Sequence, residues 1–140
     1  MKITSSYKVQ IKQYRHIFDD TVRIYRDAVD FLISVCLENW NEISALDGML
    51  LRKSYVENLI HKTKEHPHPK YEFDAVFYKF PSYLRRDAIA CAIGKVSSHK
   101  SSLSNWEASD MTTRGAEPGI PKAGFEFPCM YKTVMYQRTD

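Results

Sequence analysis

Glycine is sparse here, five residues in 140. None falls in a P-loop or a GxGxxG, so the two common phosphate-cradling loops are absent. Cysteine is scarcer still. Cys36, Cys91 and Cys129 lie far apart with no CxxC pair, which excludes an encoded zinc ribbon. An odd cysteine count, behind a Met-Lys opening that does not read as a signal peptide, points to a reducing, cytoplasmic location. No apolar run reaches the roughly 18 residues of a membrane span, so no membrane partner is expected. Neither sign of charge dominates: 20 Lys and Arg face 17 Asp and Glu, a net +3 that is mild beside many DNA-binding domains. Converging carboxylates, which a metal-dependent nuclease needs to activate water, are missing too. Asp19, Asp20, Asp27 and Asp30 decorate the solvent side of a helical pattern. No Ser–His–Asp order is present. His61, His66 and His68 lie close together and could ligate a metal, but a His-Pro loop is the more ordinary reading because no cysteine or carboxylate set completes a site. No catalytic residue, cofactor or metal is therefore assigned.

What is present is a core. Hydrophobic residues make up 44% of the chain, about one domain in length, and aromatics 13%. The nine Tyr and seven Phe suit either an interior or a base-stacking surface. Ile3, Tyr7, Val9 and Ile11 alternate with polar residues, which predicts a half-buried strand over 2–12. From Tyr14 the period lengthens. Phe18, Val22, Tyr25, Val29, Leu32, Cys36, Trp40 and Ile43 predict one helix over about 13–44, deepest where Phe31, Ile33 and Val35 widen its apolar face. Asp47-Gly48 breaks the pattern. A second helix is predicted over about 49–64 with Leu51, Tyr55 and Leu59 inward, joined by Met49 or Val56. His66-Pro67-His68-Pro69 then enforces a loop, and a short helix is expected at 73–79.

Pro81-Ser82 opens a helix over about 83–107, with Ser82 as its N-cap. Its inward stripe is Ala88 or Ile89, Ala92, Val96, Leu103 and Trp106, and both Trp40 and Trp106 are expected to be substantially buried. Gly94 in mid-helix costs about 1 kcal/mol against Ala, which suggests close approach by a second helix or a nucleic-acid backbone. Between 81 and 100, Arg85, Arg86, Lys95 and Lys100 stand against Asp87 alone, a balance of +3. Such a helix can face phosphates, with Tyr83 stacking and its N-terminal N–H groups favouring anions; an ordinary solvated basic face is the plainer alternative. Residues 109–129, rich in Gly, Pro, Ser and Thr, read as a connector, and 131–137 as a second strand.

A resemblance tips this balance. Lys70-Tyr71-Glu72-Phe73-Asp74, Phe77 through Arg86, Ala88-Ile89, Ala92 through Ser98 and Leu103-Ser104-Asn105-Trp106-Glu107 resemble the N-terminal part of the TnpB (OrfB) proteins of IS200/IS605-type transposons. Gly119-Ile120-Pro121-Lys122 and Pro128 through Lys132 resemble the connector that follows in that family, and Leu37-Glu38-Asn39-Trp40 fits its long helix. The stretch 78–107 is the most specific part. The resemblance implies an RNA-guided DNA endonuclease whose helical recognition domain is inserted between strands of a small β-barrel, the wedge. It implies guide RNA and target DNA as partners, with the remainder of a parent protein or a partner completing the sheet. The family's RuvC-like nuclease, with its three acidic residues, and its zinc ribbon match nothing here, so no catalytic residue carries over and the chain itself is not expected to be an enzyme. Target-adjacent DNA is read in that family near the start of the helix that begins here at Ser82, which nominates Ser82, Tyr83, Arg85 and Arg86; the basic balance of the helix, not the resemblance, adds Lys95 and Lys100. Arg52, Lys53 and Tyr55 resemble part of the preceding recognition helix.

The expected architecture is therefore mainly α: a helical bundle inserted between strands of a small, incomplete β-barrel, α+β overall. It divides into a wedge-type strand at 1–12, a helical recognition domain at 13–108, and a connector with a second strand at 109–140. The expected function is the nucleic-acid-binding N-terminal lobe of a TnpB-type nuclease. A structural remnant or protein-interaction module of a decayed transposon gene is the alternative, and an independent enzyme ranks last.

Overall fold

Apolar residues three and four apart wind the chain into a first long helix, α1 (Ile17–Glu38), whose acidic first turn, Asp19 and Asp20, complements the positive end of the helix dipole. This is a computed structural model that describes residues 3–4, 12–13 and 16–129. Short α2 (Trp40–Ala45), α3 (Met49–Ile60), one-turn α4 (Phe73–Val76) and long α5 (Ser82–Ala108) follow in order. α5 packs mainly along α1, and α3 packs against α5. Among the described residues, those that are fully buried in the core all come from helices. Val29, Leu32 and Cys36 of α1 meet Val56 and Ile60 of α3 and Ala88, Ile89, Ala92, Ile93 and Val96 of α5, all fully buried. Burying each large aliphatic side chain contributes about 1.5–3 kcal/mol. Phe73 seals one end, and rings of Phe31, Phe77 and Phe80 surround it at centroid distances of 5.6, 4.8 and 5.5 Å.

The expected α+β architecture with a barrel is corrected here: among the described residues there is no strand. Helix-on-helix packing already covers the apolar faces, so the core makes no demand on a sheet. Ile3, Thr4 and Lys12, assigned to the first strand, are exposed and outside regular structure. The rest of that strand and all of 131–137 lie outside the described residues.

Further differences trace to particular residues. The single helix expected over 13–44 is two, because Asn39 interrupts it. Its buried side-chain amide donates to the Val35 carbonyl at 2.8 Å, competing with the backbone, while Lys70 Nζ donates to its Oδ1 at 3.0 Å. The second helix ends at Ile60, itself fully buried, rather than at 64. Within it Val56 is inward, whereas Leu51, expected inward, and Met49 are 52% and 43% exposed. α4 stops at Val76 instead of 79, and Lys79 takes a left-handed φ of 56° that a helix cannot contain. Pro81, not Ser82, is the residue that caps α5, and no side chain caps that terminus. Trp40 and Trp106 are half-buried rather than core residues. Gly94 makes no close approach: a Cβ there would meet nothing within 4 Å.

Candidate nucleic-acid interface

α5 begins where the aromatic cluster ends. Phe77 and Phe80 turn inward onto Phe73, and this anchors the intervening Tyr78-Lys79 outside the core. Tyr78 is 79% exposed, and Lys79 Nζ lies 5.3 Å from the Tyr78 ring centroid, within cation–π range. Ser82, Tyr83 and Arg86 follow at three- and four-residue spacings, so they share one outward face of the first two turns. No acidic residue occupies the first turn of α5.

Arg85 takes the opposite direction. It is buried, and its guanidinium donates to Glu57 Oε1 through Nε at 3.3 Å and a terminal nitrogen at 3.0 Å, joining α5 to α3. Arg86, with a 58% exposed side chain, approaches the same oxygen at 3.5 Å from outside. Of the two arginines expected to act together, one is thus an interhelical tie and the other a surface cation. Asp87 is also occupied, accepting a 2.7 Å hydrogen bond from the Tyr25 hydroxyl. Burial, reinforced by that carboxylate, pushes the Tyr25 pKa far above its ordinary value.

The remaining nominated residues are dispersed. Lys95 sits about 14 Å along the helix from Arg86, given 1.5 Å per residue, and is paired with Glu126 of the connector. Partial burial pulls the Glu126 pKa upward, but Lys95 and the Gly124 N–H outweigh it and hold the carboxyl below its usual value. The pair borders an open groove of about 560 Å³ along α5, where Gly94, Ser98, Ser102 and His99 face Pro118 and Pro121. Lys100 is half-buried further on. In α3, Arg52 is committed to local structure, with Nε donating to the Leu46 carbonyl at 3.0 Å and a terminal nitrogen to Ser44 at 3.4 Å, across the end of α2. Lys53 is half-buried, and Tyr55 packs its ring against the core. The structure brings Ser82, Tyr83 and Arg86 together and leaves Arg52, Lys53, Tyr55, Lys95 and Lys100 apart from them.

Tyr78 and Lys79 were missed as site residues because they read as the tail of a short helix. The signal available was an adjacent aromatic and basic residue immediately before a Phe-Pro helix start. The histidine loop makes no metal centre: His61 Nδ1 pairs with Asp74 at 2.8 Å, and no group of three His, Cys, Asp or Glu able to hold a metal occurs among the described residues. No helix is long and apolar enough to cross a membrane among the described residues.

The geometry defines a helical protein with an aromatic and cationic surface at the start of its longest helix. The chain belongs to the Aq_aa04 family, whose model matches residues 3–140. It is 27% identical over 135 residues to "Uncharacterized protein aq_aa04" of Aquifex aeolicus (strain VF5), an alignment covering 89% of this chain and 76% of that protein. No solved structure matches it.

Proposed function

We propose that this chain is a nucleic-acid-binding helical lobe of TnpB type, holding guide RNA and target DNA in the cytoplasm and acting by binding rather than catalysis. The observation that carries the reading is the start of α5, where exposed Ser82, Tyr83 and Arg86 share one helix face and exposed Tyr78 and Lys79 immediately precede the helix. Cations there suit phosphate oxygens and exposed rings suit bases, the two contact types that position and hold a strand. The resemblance over 78–107 supports the same assignment. Arg85, Arg52 and Lys95 are already engaged and contribute less, so binding is weak, on the order of micromolar, and largely electrostatic.

The test is fluorescence anisotropy with labelled duplex DNA and structured RNA over a range of salt concentrations. The expected result is that affinity falls with salt, and that Arg86→Ala and Lys79→Ala each lower the salt slope by about one unit. Loss of neither slope nor affinity when Arg86→Ala and Lys79→Ala are combined, at an unchanged melting temperature, overturns the assignment.

A further inference from the structure

Tyr78 stands between two clefts. One, of about 240 Å³, is lined by Thr21, Ile24, Lys79 and Leu84 beside the ring. The other, of about 380 Å³, is lined by Tyr78 with Ile24, Val76, Arg23 and Asp27. Ile24 and Val76 are 40% and 61% exposed, so apolar side chains remain open to water around an aromatic ring that is itself 79% exposed. Large apolar groups left together at a surface mark an interaction site more often than scattered ones do. Lys79 covers one face of the Tyr78 ring, and a ring has two.

We propose that Tyr78 is the stacking platform for an unpaired nucleobase of a single-stranded nucleic acid, with Lys79 taking the adjoining phosphate. This rests on the nucleic-acid reading above and deepens it, since the face of α5 alone does not distinguish single strands from duplexes. Three observations select a nucleotide as the occupant. The ring offers a flat apolar surface beside apolar walls, which every base can use. The cation lies next to the ring, where a 5′ or 3′ phosphate of a stacked nucleotide falls. The larger cleft includes a polar pair, Arg23 and Asp27, with Arg23 held 3.1 Å from Asp20 and 4.0 Å from Asp27. A phosphate is repelled by the acids Asp20 and Asp27, so the backbone runs on the Lys79 side. The edge of the base then points toward Asp27, whose carboxylate accepts from an exocyclic amine as acidic side chains accept from cytosine. Cytosine or adenine is preferred to thymine for that reason.

The experiment uses the full chain and fluorescein-labelled oligo(dC) of about ten nucleotides, within the site sizes of single-strand binders. Oligo(dT), oligo(rC) and a duplex of the same length are the other arms. Tyr78→Ala is expected to weaken oligo(dC) and oligo(rC) binding by fivefold or more while changing duplex binding less than twofold. Tyr78→Phe retains affinity, because the ring and not the hydroxyl does the stacking. Asp27→Asn narrows the preference for oligo(dC) over oligo(dT). Ultraviolet cross-linking of an oligonucleotide carrying 5-iodocytosine, mapped by mass spectrometry, labels the peptide containing Tyr78. If Tyr78→Ala binds oligo(dC) like the parent while Arg86→Ala still flattens the salt dependence for duplex, the stacking site is wrong and the nucleic-acid reading stands. If no probe binds the parent at low salt, both fall. Because Tyr78 lies outside the core, the variants keep the parent melting temperature, and a drop in it would show that the residue is structural instead.

Discussion

The two halves of α5 have different jobs, although they form one unbroken helix. From Leu84 to Val96 nearly every inward position is fully buried against α1 and α3, and even an arginine is drawn in and paired. From Ser97 to Ala108 the helix carries five serines and only half-buried Leu103 and Trp106 facing the molecule. The far half is steadied by the connector instead. Trp106 donates to the Gly115 carbonyl at 2.7 Å, and the Arg114 guanidinium lies 4.0 Å from the Trp106 ring centroid. Helical content therefore outlasts the core: the bundle ends where apolar residues give way to serine, while the helix runs on along an open groove.

A truncation in each half separates them most strongly. Ile93→Ala, at a fully buried site, should cost about 3–4 kcal/mol, whereas Leu103→Ala should cost about 1 kcal/mol or less; urea denaturation reads both. Equal losses would mean that the core extends along the whole helix. Next in size is Arg85→Ala. It leaves Glu57 without its main partner and should cost roughly 2 kcal/mol, softened because Arg86 stays near the same oxygen. At the boundary between the halves the sign reverses: Gly94→Ala should stabilise by up to about 1 kcal/mol, since a methyl group there meets no neighbour.

Two smaller effects concern the groove and the thiols. Glu126 has a folded pKa below its unfolded one, so its contribution is present above the ordinary glutamate range and is lost as pH falls through the depressed value. The stability difference between the parent and Glu126→Gln should accordingly shrink as pH falls, and a difference that grows would contradict the Lys95 pairing. Thiol reactivity should follow burial. Exposed Cys129 reacts first with a disulfide reagent. Cys36, whose pKa burial pushes up to about 12, reacts only on unfolding.

Much of this was legible in the sequence where periodicity was strong. The α1 stripe from Tyr25 to Cys36 and the α5 stripe through Ala88, Ile89, Ala92 and Val96 are the observed core, because apolar spacing and burial have the same cause. α3 was harder. Its apolar residues ring the helix, so Leu51 was expected inward and Val56 stood only as an alternative to Met49, and packing of α3 against α5 buries Val56 instead. Asn39 was unreadable as a break because its effect depends on Lys70 and Tyr71, about thirty residues away. At the candidate site, composition treated Arg85 and Arg86 as equals. Which one faces inward depends on Glu57 in another helix, information that charge counting does not hold. Tyr78 and Lys79 escaped because the left-handed turn at Lys79 follows from the phenylalanine cluster, not from any local turn residue.

The adjacent arginines give the most direct measurement. Arg85→Ala and Arg86→Ala, each followed by thermal melting and by duplex DNA anisotropy across salt concentrations, separate structure from binding in neighbouring residues. Arg85→Ala is expected to lower the melting temperature and leave the salt slope of the folded protein unchanged. Arg86→Ala is expected to melt like the parent and lose about one unit of slope. A melting temperature that falls for Arg86→Ala but not Arg85→Ala, or a salt slope that responds only to Arg85, would contradict this division of roles.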